Sequence, residues 1–378
     1  MKIGFVFDDT LDSADGVQQY VLTVSQWLTA QGHEVHYLVG ETTRRDLPNL
    51  HSLSKNVKVR FNQNRMSIPL PARKRDIERV VLAEDFDVLH VQVPYSPTMA
   101  AKVINAAPPS TAIVGTFHIL PFSAWQHRAN RALALALRRN LKKFHAFISV
   151  SSAAQTFAKE VYGIESVIIP NTVESNRFML ARPFPNPDNR RRIVFVGRLV
   201  ARKGCIYLLR AVQRLVQDGV TDIHVDVCGR GELEPELKRF VAEHKLEDIV
   251  TFHGFVSEAD KARFLAGADI AVFPSLGGEC FGIVLIEAMA AGSKVVLGGD
   301  NAGYASVLRA EQLFNPRSVR ALTVMLQSYL EDTPVALAAT QEATRWQLHA
   351  VKQYDVNIVG TQLLKLYRET LHRRGYVR

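Results

Sequence analysis

Pro274-Ser-Leu-Gly-Gly-Glu279-Cys-Phe-Gly-Ile-Val-Leu-Ile-Glu287-Ala-Met-Ala-Ala-Gly292 follows the short apolar run Ile270–Phe273 and reads as a strand end, a glycine-rich turn and a helix beginning near Ile283. The first amides of such a helix have no intrahelical acceptor, and its dipole adds partial positive charge, so the turn is suited to an anion such as a phosphate. Gly277, Gly278 and Gly282 let backbone come close to a ligand. Glu279 and Glu287 stand eight residues apart, about 12 Å along a helix, too far to share one small group. They suit two hydroxyl-bearing parts of one elongated ligand, or else are the solvated glutamates of a plain strand–turn–helix.

Val196-Gly-Arg198-Leu-Val-Ala-Arg-Lys203-Gly204 repeats the passage from strand through loop to helix. Arg198 and Lys203 flank the loop; a guanidinium grips phosphate oxygens in pairs and an ammonium acts as a point charge. Together with a helix terminus they would stabilise a leaving group that gains negative charge, the alternative being two solvated surface cations. Gly229-Arg-Gly231-Glu232 also follows a strand, but Glu234 stands where a dinucleotide fingerprint needs its third glycine, and the first strand–helix turn, Asp8–Gly16, lacks that fingerprint. A dinucleotide oxidoreductase is thereby disfavoured.

Working outward, short β-branched runs alternate with helical patterns in two series. Ile3–Phe7, Glu34–Val39, Val88–Val93, Ala112–Phe117 and Ala146–Val150 form the first set of strands. Ile193–Val196, His224–Cys228, Val250–Phe252, Ile270–Phe273 and Lys294–Leu297 form the second. Such alternation predicts α/β architecture, two parallel sheets each covered by helices on both faces. The polar stretch Thr172–Arg192, with Pro183, Pro185 and Pro187, reads as a linker, giving domains at 1–171 and 172–355 and a last helix near 356–378. Open sheets of this kind bind ligands at the carboxyl ends of their strands. The 378 residues are 47% apolar and 22% charged, ample for two cores and unlike a disordered or fibrous chain. The net charge of +9 favours an anionic partner. Cys205, Cys228 and Cys280 are too few for a disulfide framework or zinc site, and the absence of a signal-peptide core or long apolar span leads to the expectation of a cytoplasmic protein.

With these motifs in view, the chain resembles the retaining glycosyltransferases of family 4, and within them the bacterial phosphatidylinositol mannosyltransferases. The resemblance rests on Gly16-Val-Gln18-Gln-Tyr-Val, Asp85-Phe-Asp-Val-Leu-His90, Thr116-Phe-His118, Gly229-Arg-Gly231-Glu232 and the Leu276–Ala290 stretch. It implies the GT-B fold: two Rossmann-like doubly wound domains facing each other across a cleft, the N-terminal one for the acceptor and the C-terminal one for a nucleotide sugar. It implies that Gly16 approaches the donor diphosphate and that Arg198 and Lys203 neutralise it. Glu279 would hold the sugar hydroxyls and Glu287 the ribose, while the backbone of Phe281, Gly282, Ile283 and Val284, with the Gly229–Gly231 loop, completes the donor contacts. His118 would face sugar and acceptor, and Gln18, Asn62, Asn64 and Arg65 are acceptor candidates. The implied chemistry moves mannose from GDP-mannose to a phosphatidylinositol-type lipid with retention and needs neither metal nor further cofactor. A UDP-sugar with diacylglycerol or a soluble polyol is the alternative.

Two basic clusters bear on partners. Arg73, Lys74, Arg75 and Arg79 open one predicted helix; Arg128, Arg131, Arg138, Arg139, Lys142 and Lys143 lie in another, inside a span, Val88–Lys159, that has eight basic residues and no acidic one. Either suits an anionic membrane surface, and the resemblance favours the first. No nucleic-acid reader motif or interleaved aromatic pattern accompanies them, so a nucleic-acid partner is not expected. Asp85-Phe-Asp87 has the look of a metal-binding pair, yet it precedes a strand, and the resemblance makes it structural.

Overall fold

A computed structural model of the chain describes residues 1–12, 15–61, 64–69, 72–121 and 124–375. It divides into two compact units, Met1–Thr172 with Val356–Arg378, and Val173–Asp355.

The first unit runs β1 (Lys2–Phe7), α1 (Gly16–Ala30), β2 (Glu34–Val39), β3 (Leu50–Ser52), β4 (Asn56–Phe61), β5 (Asn64–Pro69), α2 (Lys74–Glu84), β6 (Val88–Gln92), α3 (Met99–Ala106), β7 (Ala112–Phe117), α4 (Ala124–Leu141), β8 (Ala146–Ser149), α5 (Ser152–Tyr162) and β9 (Val167–Ile168). Seven of these strands form one sheet in the order β3-β2-β1-β6-β7-β8-β9, with parallel pairing between neighbours. The central strands are buried nearly throughout because helices cover both faces, so they read as continuous apolar runs. The chain winds outward from β1 to β3, then returns and winds the other way from β6. The reversal between β1 and β6 opens a crevice at the carboxyl ends of the strands. The antiparallel hairpin β4–β5 was not expected from the sequence.

The second unit holds α6 (Ser175–Met179), β10 (Arg191–Val196), α7 (Cys205–Gln217), β11 (Ile223–Cys228), α8 (Glu234–Glu243), β12 (Val250–Gly254), α9 (Glu258–Ala266), β13 (Ile270–Phe273), α10 (Ile283–Ala291), β14 (Val295–Gly299), β15 (Leu313–Phe314), α11 (Val319–Leu330) and α12 (Pro334–Ala350). Its strand order, β12-β11-β10-β13-β14-β15, reverses between β10 and β13. The loops after those two strands are therefore neighbours, and they carry Arg198, Lys203 and Glu279. Amphipathic spacing seats α7 on this sheet, with Cys205, Leu208, Leu209, Val212 and Leu215 buried along one stripe. The stretch read as a linker is instead part of this unit: α6 packs on α9 and α10, Arg192 bonds Asp226 from inside β10, and Val173 donates its N–H to the carbonyl of Tyr354.

The chain then rejoins the first unit as α13 (Val356–Arg373). Val359, Leu363 and Tyr367 are fully buried. Gly360 lets α13 lie against α1, since a Cβ there would come within 2.4 Å of the Trp27 ring, whose Nε1 donates to Asn357 Oδ1 at 2.9 Å. The Tyr367 hydroxyl is 2.6 Å from His90 Nδ1, and His90 Nε2 is 2.6 Å from Thr116 Oγ1. Burial keeps His90 neutral, its pKa lowered to about 3, so this chain of polar groups is satisfied without charge. Tyr367→Phe should strand a buried ring nitrogen and cost about 1–3 kcal/mol. The expected readout is a lower urea midpoint by circular dichroism; an unchanged midpoint would mean the hydroxyl does not hold α13.

Candidate active site

The loop after β10 tightens into a 3₁₀ turn, Ala201–Lys203, and passes through Gly204 in the left-handed region (φ 70°) to start α7. A Cβ on Gly204 would lie 2.0 Å from the Pro274 carbonyl oxygen, so only glycine lets this loop lie against the one after β13. A backbone bond stitches the contact: Leu276 N–H donates to the Arg202 carbonyl at 2.8 Å, and Ser275 Oγ lies 3.2 Å from the same oxygen.

Across that seam Glu279 Oε1 accepts from Arg202 Nη1 at 2.7 Å, Lys203 Nζ at 2.8 Å and Ser275 Oγ at 2.6 Å. The three ionic side chains are between 11% and 18% exposed. Burial alone would raise the Glu279 pKa; the fields of Lys203 and Arg202 overcome it and bring it down to about 2. Lys203 is pushed below its ordinary value chiefly by burial, with Arg202 and Arg198 adding repulsion and Glu279 opposing. Two cations thus share one carboxylate oxygen, with Arg198 close enough to Lys203 to add repulsion.

The helix starts add partial positive charge. Where α9, α11 and α12 begin with Ser257, Ser318 and Thr333 accepting a first-turn amide, α7 and α10 begin at Gly204 and Gly282 with no side-chain cap and no acidic residue in the first turn. Gly282 sits at φ 104° with the Tyr304 ring packed where a side chain would be. Ile283 and Val284 form the first turn of α10, and Phe281 is buried edge-on to Tyr354. Two helix starts without a side-chain cap, beside Arg202 and Lys203, have the chemistry to receive an anion.

Of the residues singled out in the sequence, Arg198, Lys203, Glu279 and the 281–284 backbone come together in the second unit. Glu287, in α10, is buried and accepts from Lys261 Nζ at 2.7 Å, while Lys261 also lies 2.8 Å from Glu258. Burial raises the Glu287 pKa against the pull of Lys261. Gly229 and Gly231 meet the β10 loop: a Cβ on either would fall within 2.2 Å of the Gly197 or Leu199 carbonyl, so what they support directly is the loop bearing Arg198.

His118, Gly16 and Gln18 belong to the first unit. His118, at the end of β7, lies with Nε2 2.7 Å from Gln92 Oε1 and its ring against Tyr20. Burial lowers its pKa to about 3, so it is a neutral imidazole. Gly16 opens α1, whose N-terminus also lacks a side-chain cap. Gln18 is buried and donates to the Thr10 carbonyl at 3.1 Å. Asn64 and Arg65 start β5 opposite Phe61 and Arg60; Asn62 lies outside the described residues. Arg73 precedes α2, which contains Lys74, Arg75 and Arg79. Asp87 accepts the Lys2 backbone N–H, which ties the Asp85–Asp87 pair to β1.

Sequence reading passed over Arg202, Ser275 and Lys261. Arg202 stands beside Lys203, but which of two adjacent cations turns toward a carboxylate depends on the 3₁₀ turn. Among the described residues, one cluster has a metal-ligand composition, His36, His51 and Glu84. The two rings are coplanar within 3°, centroids 5.4 Å apart, with Nδ1 of His36 3.0 Å from Nε2 of His51. That in-line approach is a hydrogen bond, and Lys2 already lies 3.1 Å from Glu84.

Residues 14–177 match the family described as Glycosyltransferase Family 4, and residues 178–346 the one described as Glycosyl transferases group 1. A phosphatidyl-myo-inositol mannosyltransferase of Mycolicibacterium smegmatis is 32% identical over 99% of this chain and 95% of its own. One of Mycobacterium tuberculosis is 29% identical over 99% and 98%. Among solved structures, a glycosyltransferase from Rickettsia africae superposes with a TM-score of 0.74 at 18% identity, covering 98% of this chain and 99% of that one. Anabaena HepE in complex with UDP gives 0.72 at 18%, covering 98% and 100%. These likenesses identify both units as the Rossmann-like halves of a GT-B glycosyltransferase. Identity along the full length of the mycobacterial enzymes, joined to the two family matches, makes this chain a member of glycosyltransferase family 4.

Proposed function

We propose that the protein transfers mannose from GDP-mannose to a phosphatidylinositol-type lipid with retention of anomeric configuration. The supporting observation is the full-length 32% identity to a phosphatidyl-myo-inositol mannosyltransferase, and the site's charge gives the reading its chemistry. The donor diphosphate would occupy the corner bounded by Arg198, Lys203 and the first amides of α10. As the bond between sugar and phosphate breaks, negative charge grows on the departing diphosphate, and pre-arranged cations and amides stabilise it most at that moment. Glu279 keeps Arg202 and Lys203 charged and aligned and meets the sugar hydroxyls; Glu287 meets the ribose. Same-face attack, in which the departing phosphate helps remove the acceptor proton, needs no enzyme nucleophile. His118, neutral and fixed by Gln92, would act as a hydrogen-bonding group toward sugar and acceptor.

Among the described residues no helix is long and apolar enough to cross a membrane, so access to a lipid acceptor would require binding at the surface of an anionic leaflet. A UDP-sugar is the second reading, favoured by the UDP bound in the Anabaena neighbour. Thermal-shift titration with GDP, UDP and ADP separates them: mass action raises the melting temperature for the nucleotide bound. Stabilisation by UDP alone would overturn the mannose assignment.

Glu279→Gln should retain the fold yet lower kcat about 100-fold or more, because the carboxylate that aligns Lys203 is lost. Unchanged turnover would remove Glu279 from the site. Lys203, held below its ordinary pKa by burial and two neighbouring cations, loses its proton at lower pH than a free lysine. The alkaline fall of kcat/KM should therefore begin early, and Lys203→Arg should move it upward; identical pH profiles would contradict this role.

A further inference from the structure

We infer that α4, rather than α2, is the helix that docks the protein on an anionic lipid surface. This deepens the lipid-acceptor reading by naming the surface that meets the bilayer, and it is tested by binding rather than by turnover.

Resemblance pointed to Arg73–Arg79, but α2 has little net attraction to offer. Across Arg73–Glu84 four basic residues stand against three acidic ones, a net charge of +1. Lys74 lies 3.3 Å from Glu78, and Arg79 lies 3.8 Å from Asp76. Each local pair cancels part of the field an anionic leaflet would feel.

In α4 that cancellation is missing. The helix contains Arg128, Arg131, Arg138 and Arg139 and no acidic residue, with Lys142 and Lys143 following at once. All six are exposed. Helix α3, which packs beside it, has no acidic residue either. The other packed neighbour, α5, contributes only Glu160. Leu137 and Leu141 turn inward, which anchors α4 and leaves the basic face outward.

The exposed face is also apolar in part. Trp125 is 67% exposed and Leu135 77%, with Ala129, Ala132 and Ala136 exposed between the arginines. An indole and a leucine in water beside a row of cations suit the headgroup–acyl boundary, where the rings and alkyl groups enter and the cations stay at the phosphates. A nucleic acid would use the cations alone and leave Leu135 and the alanines in water.

The test uses the full chain and vesicles of phosphatidylcholine with about one-third phosphatidylglycerol, without donor or phosphatidylinositol; at about fivefold in affinity per lost charge, Arg131→Gln/Arg138→Gln/Lys142→Gln should reduce co-sedimentation roughly 100-fold. Arg73→Gln/Lys74→Gln/Arg75→Gln should change it far less. Trp125 fluorescence, read as the difference from Trp125→Phe, should shift to the blue on vesicle addition, and salt should weaken binding. Because all these positions are exposed, circular dichroism should be unchanged. Parent-like binding by the α4 triple variant, loss of binding only in the α2 variant, or tighter binding to single-stranded DNA than to vesicles would each overturn the inference. Transfer activity measured in detergent stays independent of these outcomes, so failure of the docking surface and failure of the proposed reaction can be told apart.

Discussion

One buried carboxylate ties the loops after β10 and β13 together. Glu279 draws Arg202, Lys203 and Ser275 onto a single oxygen, and the pairing fixes the β10 loop against the β13 loop where the sheet reverses direction. Ions this buried are costly unless paired, and removing one partner leaves the others uncompensated. The arrangement holds only because Gly204 permits backbone contact with Pro274. Close packing, charge pairing and the strand order that makes the loops neighbours are one constraint seen at three scales.

The same corner leaves two helix starts without a side-chain cap. Helices α9, α11 and α12 are capped by serine or threonine, whereas α7 and α10 start from glycine at this point. A side chain at Gly204 would strike the Pro274 carbonyl, and one at Gly282 the Tyr304 ring. Arg198 and Arg202 disfavour the charged form of Lys203, so an entering polyanion would relieve repulsion that the folded protein otherwise sustains.

Much of this was legible in the amino-acid order. Apolar runs located the strands Ala112–Phe117 and Ile270–Phe273 at their observed bounds, and the glycine-rich turn located the start of α10 at Ile283, because buried parallel strands and strand-to-helix turns have distinct patterns. The reversal points that bring Arg198 and Glu279 together follow from strand order, which local pattern does not encode. Prolines at 183, 185 and 187 suggested a linker, but Phe178, Phe184 and Arg192 tie that stretch to its own unit through packing and the Asp226 pair. The assignment of Arg202 and Lys261 as the partners of the two glutamates depended on side-chain directions set by turns and tertiary contacts. Local charge pairing in α2 likewise emerges only when Asp76 and Glu78 are seen beside Arg79 and Lys74.

The return of α13 to the first unit has a consequence for biosynthesis. The strands of that unit emerge from the ribosome before the second unit does, but the slots for Val359, Leu363 and Tyr367 stay vacant until α13 has been made. The continuous second unit has all its parts in hand before then. Synthesis order and completion order are therefore inverted, and the nascent first unit must carry an open apolar seam until the second unit and α13 have both been synthesised.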